Sequence, residues 1–286
     1  MPGRLPVTSP SPAYYNTSGE APANVNAGEF VTSPSPAYYN TSAQVFVDDI
    51  NQPEISSEDM HHLVNVLRLR EGEKIVLSDG KGYWRLCSFS KTHWNSRLRK
   101  LSEDIHKAEA PLRPTCIALA MAKGERGTWA IAKLVELGID HIILLSTDRG
   151  VVRWDTTRKK HALGRLRRVA RESSAQSRRA FLPRIDGPVT LDELLETDRP
   201  HELALTDITG ESMLSTPQEI STIATGPEGG WSQRELSLAK ENYIPLLSLG
   251  ATIMRSETAA IAAGVILKGW RIWAAGTQND AQDRQL

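Results

Sequence analysis

The sequence predicts a mixed α/β protein in which a small β-rich unit precedes a larger unit built on a mostly parallel sheet. Three observations carry this expectation. From Thr115 onward, short apolar runs alternate with amphipathic stretches, the pattern of a parallel sheet covered by helices. Ahead of it, two β-like runs flank Asp79-Gly80-Lys81-Gly82, a strong hairpin signal. Near the C-terminal end, two apolar runs each leave through glycine into a stretch with helix-capping residues.

Bulk properties narrow the class. Of 286 residues, 40% are hydrophobic and 24% charged, a globular composition. No apolar run reaches the roughly 18–20 residues of a membrane helix. The N-terminus lacks the apolar core of a secretory signal. Cys87 and Cys116 lie far apart without a Cys-x-x-Cys partner, which argues against a disulfide framework or zinc knuckle. The expectation is a cytoplasmic protein with no membrane partner and no metal.

Residues 1–44 are rich in Pro, Ser, Ala, Asn and Gly, and VTSPSPAYYNTS occurs twice, at Val7–Ser18 and Val31–Ser42. Such a composition buries no core, so a disordered leader is expected. Over 45–110, QVFVDDI reads as a strand and SSEDMHHLVNVLRLR as a short helix capped by Ser56 or Ser57. EKIVLSDGKGYWRLCSF reads as the hairpin, with more β-like sequence through His93–Arg99 and a linker at Pro111 and Pro114. Over 115–275, CIALAMA is a strand and GTWAIAKLVELG a helix closed by Gly138. HIILLST follows as a strand, then a basic helix over roughly Thr156–Arg179, then strands at ELALTD and STIATG. A helix begins at Trp231, where Ser232 and Glu235 have capping-box spacing and Trp231 and Leu236 staple spacing. PLLSLG is the last strand, SETAAIAAGVILKGW the last helix, capped by Ser256, and 276–286 a flexible tail.

Two motifs could bear chemistry. TGPEGGW (Thr225–Trp231) follows a buried strand, and LGATIMRSETAA (Leu249–Ala260) leaves the next one. Glycine lets a ligand approach bare backbone, and ligands of open α/β sheets sit beyond the C-terminal strand ends. Each run reads equally as an ordinary strand-to-helix turn, with Glu257 as a first-turn acid and Arg255 its solvated neighbour. A G-x-x-x-x-G-K-[ST] loop, a dinucleotide fingerprint and a G-x-S-x-G elbow are all missing, and His61-His62 has no metal-ligand companion at suitable spacing.

The net charge is zero, yet Arg149–Arg184 holds twelve basic residues against Asp155 and Glu172, so this block carries +10 and the remainder −10. Within it, Ala162, Leu163, Leu166, Val169 and Ala170 trace one helical stripe, and cations take the other faces. A solvated face normally mixes signs; an almost acid-free block suits phosphates.

MAKGERGTWAIAKLVELGID (121–140), TGPEGGWSQRELSLAK (225–240), LGATIMRSETAA (249–260) and HHLVNVLRLREGEKIVLSDGKG (61–82), in that spacing, resemble SPOUT-superfamily methyltransferases that modify uridine N3 in 16S ribosomal RNA. The resemblance covers about residues 45 to 275. It implies an α/β fold: a SPOUT-type C-terminal domain with a trefoil knot and mostly parallel sheet, behind a small PUA-like β-barrel. It further implies the cofactor S-adenosylmethionine (SAM), a homodimer with its pocket near the subunit interface, and the small ribosomal subunit as partner, with uridine 1498 of 16S rRNA the expected target. Carried over, the cofactor loops are Thr225, Gly226, Pro227, Glu228, Gly229 and Gly230, then Leu247, Leu249, Gly250, Ile253, Met254 and Arg255, with Leu205 or its neighbours as a third wall. Where many relatives carry a Glu-Gln-Ser/Cys-Gly-Arg-like run, this chain reads Ala175-Gln176-Ser177-Arg178-Arg179; Gln176 and Arg179 match, the acid and the glycine do not.

For chemistry at uracil N3, Arg255 is the expected cation facing the developing charge, and Glu257 the expected proton acceptor or loop-ordering acid, with Glu228 a second acid. Expected RNA contacts are Arg68, Arg70, Lys81 and Arg85 in front and Arg153, Arg165, Arg168 and Arg179 behind. Two alternatives stand beside this reading: a related enzyme with another base or a ribose 2′-hydroxyl as target, and a catalytically silent RNA-binding assembly factor.

Overall fold

The computed structural model describes residues 36–90, 97–100, 104–152, 155–196, 202–212 and 219–283. The leader up to residue 35, Arg153 and part of the His93–Arg99 stretch lie outside the described residues.

The front unit starts with a short helix α1 (Pro36–Tyr39) and strand β1 (Ala43–Phe46). Helix α2 (Ser57–His61) is capped by Ser56, whose hydroxyl accepts from the Asp59 amide, and runs into one π-helical turn (His62–Val66). Strands β2 (Lys74–Ser78) and β3 (Tyr83–Ser90) form the expected antiparallel hairpin. In its turn the Asp79 carboxylate accepts from the Lys81 and Tyr83 amides. β1 pairs β2 in parallel; β4 (Arg97–Lys100) and β5 (His106–Lys107) both pair β3.

The second unit is a three-layer sandwich. Its sheet has the order β11-β9-β10-β6-β7-β8, every pairing parallel. The strands are β6 (Cys116–Ala120), β7 (His141–Leu145), β8 (Arg184–Val189), β9 (Leu203–Ser212), β10 (Thr222–Thr225) and β11 (Leu246–Ser248). Alternate residues face opposite layers. Ile117, Leu119, Ile142 and Leu144 pack on α3 (Glu125–Glu136), α4 (Thr156–Gln176) and α7 (Ser256–Asp283). Ala118, Leu145 and Leu205 pack on α5 (Leu191–Leu195) and α6 (Gln233–Glu241). Leu134 of α3 is fully buried in the first layer; truncating such a leucine to alanine costs about 2–5 kcal/mol.

Several expectations need correction. Residues 36–44 belong to the fold and not to a leader. Tyr38 is buried edge-on against Trp84, with Ala108 and Ala180 beside it, and its hydroxyl donates to Gln44 (2.9 Å). Proline-rich composition hid one aromatic that fills the seam between the two units. Helix α4 stops at Gln176, three residues early, and Arg178 takes a positive φ of 57°. Strand β8 and helix α5 went unread. Asp186-Gly187-Pro188 breaks the apolar pattern of β8, which tolerates proline because it is an edge strand. Helix α5 starts at a full capping box, Thr190 with Glu193, a signal present in the sequence. Helix α7 begins at Ser256 itself, so Arg255 holds the cap position, and it continues to Asp283 through the expected tail.

Candidate functional site

The strand order reverses between β6 and β10, since β7 and β8 lie to one side and β9 and β11 to the other. Beyond the C-terminal strand ends at such a point a crevice opens. In this protein a cleft of about 320 Å³ opens beside that point, over the C-terminal ends of β10, β9 and β11.

The first wall is the loop after β10, from Gly226 to Trp231. Gly226 is required by close approach: a Cβ there would lie 3.0 Å from the Trp231 ring. Gly230 turns the chain at φ 68°, where a side chain would be strained. Trp231 is buried and its indole N–H donates to the Thr206 carbonyl (2.9 Å), tying this wall to β9. Helix α6 then starts with both halves of its capping box formed: Ser232 Oγ accepts from the Glu235 amide and Glu235 accepts from the Ser232 amide. A loop after β7 clamps this wall from outside. Arg149 donates to the carbonyls of Gly229 (3.0 Å) and Trp231 (3.1 Å), and Asp148 takes hydrogen bonds from Arg234 and Ser232, which hold its carboxyl below the usual range.

The second wall runs from Leu247 through Leu249, Gly250, Thr252, Ile253 and Met254 to Ser256 and Ala259 of α7. The third is Thr206-Asp207-Ile208. These residues pass the last β10 partner of β9, Thr206, and the β9–β11 register shifts between Leu246 and Leu247 to accommodate them.

The two glycine-bearing exits therefore face one cleft. Of the expected cofactor residues, Gly226, Pro227, Glu228, Gly229, Gly230, Leu247, Leu249, Gly250, Ile253 and Met254 line it. Leu205 and Thr225 do not; both are fully buried within their strands, and the third wall is formed by the neighbours that follow Leu205. The Arg255 side chain is exposed outside the lining, one residue before α7. Glu257 also lies outside the lining; it is buried, its side chain 8% exposed, and among the described residues its Oε2 has no hydrogen-bond partner. Its ion partner is Arg126 at 3.7 Å, not Arg255. The same Arg126 nitrogen donates to Glu228 at 2.6 Å. Sequence reasoning missed Arg126 and Asp207, while Trp231 and Thr252 lie within the two candidate motifs without being assigned to the cofactor. Trp231 was legible as a staple residue, whereas Arg126 carries no local signal.

The expected RNA contacts divide. Arg68, Arg70, Lys81, Arg165 and Arg168 are exposed, with Arg165 bonded to Thr128 (2.8 Å). Arg85 is 1% exposed and donates to the Ile50 carbonyl, so it is a core residue of the front unit and not an RNA contact. Arg179, 12% exposed, donates to the carbonyls of Val135 and Ile139 and pairs with Asp140, which removes it from the surface. Arg171 and Arg178 fasten the two units by donating to Phe46 and Thr41 carbonyls. The basic block is thus partly internal carpentry. Among the described residues no cluster of His, Cys, Asp and Glu could hold a metal ion, and no helix is long and apolar enough to cross a membrane.

Comparison with known proteins gives a consistent result. Residues 108–268 match the RNA methyltransferase domain family, and 55–92 match the RNA methyltransferase PUA domain. The chain is 32% identical over 220 residues to ribosomal RNA small subunit methyltransferase E of Synechocystis, covering 73% of this chain and 70% of that protein. The namesake in Bacillus subtilis is 28% identical, with 73% and 86% covered. The crystal structure of a ribosomal RNA small subunit methyltransferase E from Neisseria gonorrhoeae bound to S-adenosyl methionine superposes with a TM-score of 0.67 at 26% identity, covering 79% of this chain and 97% of that one. The chain belongs to the RNA methyltransferase family, with the ribosomal RNA small subunit methyltransferases E as its relatives.

Proposed function

We propose that this protein transfers a methyl group from SAM to N3 of a uridine in 16S rRNA of the small ribosomal subunit, with uridine 1498 as the target and the cytoplasm as its place of work. One observation carries the reading: both glycine-bearing strand exits line a single cleft over the C-terminal ends of β9, β10 and β11.

The residues suit the donor. Leu247, Leu249, Ile253 and Met254 offer apolar walls to a purine, and Asp207 and Glu228 offer carboxylates to hydroxyls and to positive charge. When bound, SAM supplies a methyl group already activated on a sulfonium. The chain's own task is positioning, worth roughly 7–11 kcal/mol of a barrier when geometry is held. Uracil N3 must lose its proton, and the charge then spreads to O2 and O4. Arg255, exposed at the mouth, reaches those oxygens as the base enters, and Glu257, with its unpartnered Oε2, accepts the proton directly or through water. A stacked base is out of reach, so the target is splayed out. Arg68, Arg70 and Lys81 in front, with Arg165 and Arg168 on α4, grip the surrounding phosphates.

The active form is a homodimer. Trp129 on α3 and Val265 on α7 are half exposed, and Ile253 beside the cleft is 89% exposed, leaving apolar side chains for a second copy to cover. The family resemblance brings with it a trefoil-knotted path, which the placement of β11 beyond β9 accommodates.

The test is methylation of small subunits and of free 16S rRNA with labelled SAM, followed by mapping of the modified base. Label at uridine N3 supports the proposal. Label at another base or a 2′-hydroxyl assigns a different target, and SAM binding without transfer identifies a silent assembly factor.

A further inference from the structure

We propose that Arg126 is a positioning residue for methyl transfer, holding Glu228, which lines the cleft, in register with Glu257 at the buried start of α7. The proposal rests on the function given above and adds a residue to its machinery.

Glu228 lines the cleft from the loop after β10, whereas Glu257 stands at the start of α7 between the lining residues Ser256 and Ala259 and outside the lining itself, so the two acids come from different elements. Arg126 comes from a third element, the first turn of α3, on the β6 side of the reversal. Its Nη1 lies 2.6 Å from Glu228 and 3.7 Å from Glu257. One guanidinium therefore bridges both elements.

The arrangement at Glu257 is unlike an ordinary surface pair. A buried carboxylate without a cation is costly, and Glu257 is buried with one oxygen unpartnered. Arg126 offsets that charge from the solvent side, being 42% exposed itself, and leaves Oε2 free. It acts through Glu228 and Glu257; no contact with the reacting atoms is assigned to it. The backbone beneath it is tightly set. A Cβ on the next residue, Gly127, would lie 2.9 Å from the Ala122 carbonyl, so the first turn of α3 rests directly on the loop that leaves β6. Gly124 opens the turn at φ 68° without a side-chain cap. The position of Arg126 is thus fixed by the sheet, and both acids are referred to it.

The experiment uses the full chain with small ribosomal subunits and SAM, measuring kcat, KM for SAM, SAM affinity by calorimetry and Tm. Arg126→Ala should lower kcat by about tenfold or more through Glu257, because removing one partner strands a buried charge. KM for SAM should rise only about three- to fivefold, since the Glu228 pair is half exposed and weak. Arg126→Lys should recover most of both losses, and Glu125→Gln next to it should match the wild type. The double variant R126E/E228R should bind SAM better than R126E alone. Wild-type turnover and KM in Arg126→Ala would overturn the proposal alone. Equal losses in kcat and Tm, unrepaired by lysine, would reduce Arg126 to a structural strut and overturn it too. A wild-type chain that binds no SAM would overturn this inference and the proposed function together.

Discussion

The two ends of the parallel sheet use the same kinds of residue to opposite purposes. At the N-terminal strand ends, charge closes the structure. Asp140 accepts from the Thr115 amide and hydroxyl, both at 2.9 Å, and Arg179 spans the carbonyls of Val135 and Ile139. His141 pairs with Asp186 at 2.9 Å, and Arg184 contacts the same carboxylate. At the C-terminal ends, glycine turns hold an open cleft, Glu257 keeps an oxygen unpartnered, and Arg255 stands exposed. Satisfied charge marks scaffold; unsatisfied or exposed charge beside bare backbone marks the place of chemistry.

The sharpest separation of the two ends comes from their arginines. Arg255→Ala should lower kcat by about 10²–10³, the usual cost of removing one transition-state donor, with Tm unchanged because the side chain is exposed. Arg179→Met should do the reverse. It removes a donor from the Val135 and Ile139 carbonyls and the cation from Asp140, although Val135 keeps the Gly138 amide and Asp140 the Thr115 donors. The change should cost about 1–3 kcal/mol of stability, read as a lower denaturation midpoint. SAM affinity and the salt dependence of RNA binding should stay as they were. Loss of RNA affinity in a folded Arg179→Met protein would erase the distinction.

These arginines also show what a sequence can and cannot convey. Local signals were reliable wherever the physics is local. The hairpin at Asp79–Gly82, the Ser232–Glu235 capping box and the glycine exits are all where short-range chemistry puts them. Charge was misleading because its meaning is tertiary. Arg85 and Arg179 look like surface cations in a linear reading, yet each is consumed by backbone carbonyls. Arg126 looks like a solvated helix residue and instead joins the cleft loop at Glu228 to the start of α7 at Glu257. Thr225 stays buried in its strand, and of Leu205 and its neighbours it is Thr206, Asp207 and Ile208 that reach the cleft, where the β9–β11 register shifts. Tyr38 was lost in a proline-rich repeat, because composition averages over the one side chain that packs.

Smaller effects sharpen the comparison. Gly226→Val crowds the Trp231 ring; overpacking of this kind costs about 1–3 kcal/mol, so the Kd for SAM should rise roughly tenfold in calorimetry. Arg168→Ala on exposed α4 should weaken RNA binding a few-fold and lower the salt slope by about 0.7–0.9; an unchanged slope would remove it from the phosphate contacts.

The closed end should also carry a pH signature. Burial works against charge on His141, but Cys116 beside it and the Asp186 carboxylate prevail and raise its pKa from 6.5 to about 9. A folded-state pKa above the unfolded value stabilises below the lower figure and fades above the higher one. The contribution of His141 is therefore whole below about pH 6.5 and lost as pH rises through 9. Asp186→Asn should flatten that decline in Tm between those limits, and the SAM affinity of the cleft should not follow it.

The most direct measurement is a crystal structure of the protein soaked with SAM. Density for the donor between Gly226–Gly230 and Leu247–Met254, with Trp231 behind it and Arg126 still bridging Glu228 and Glu257, is the expected result. Donor density anywhere else on the molecule, or an empty cleft at saturating SAM, would contradict the account.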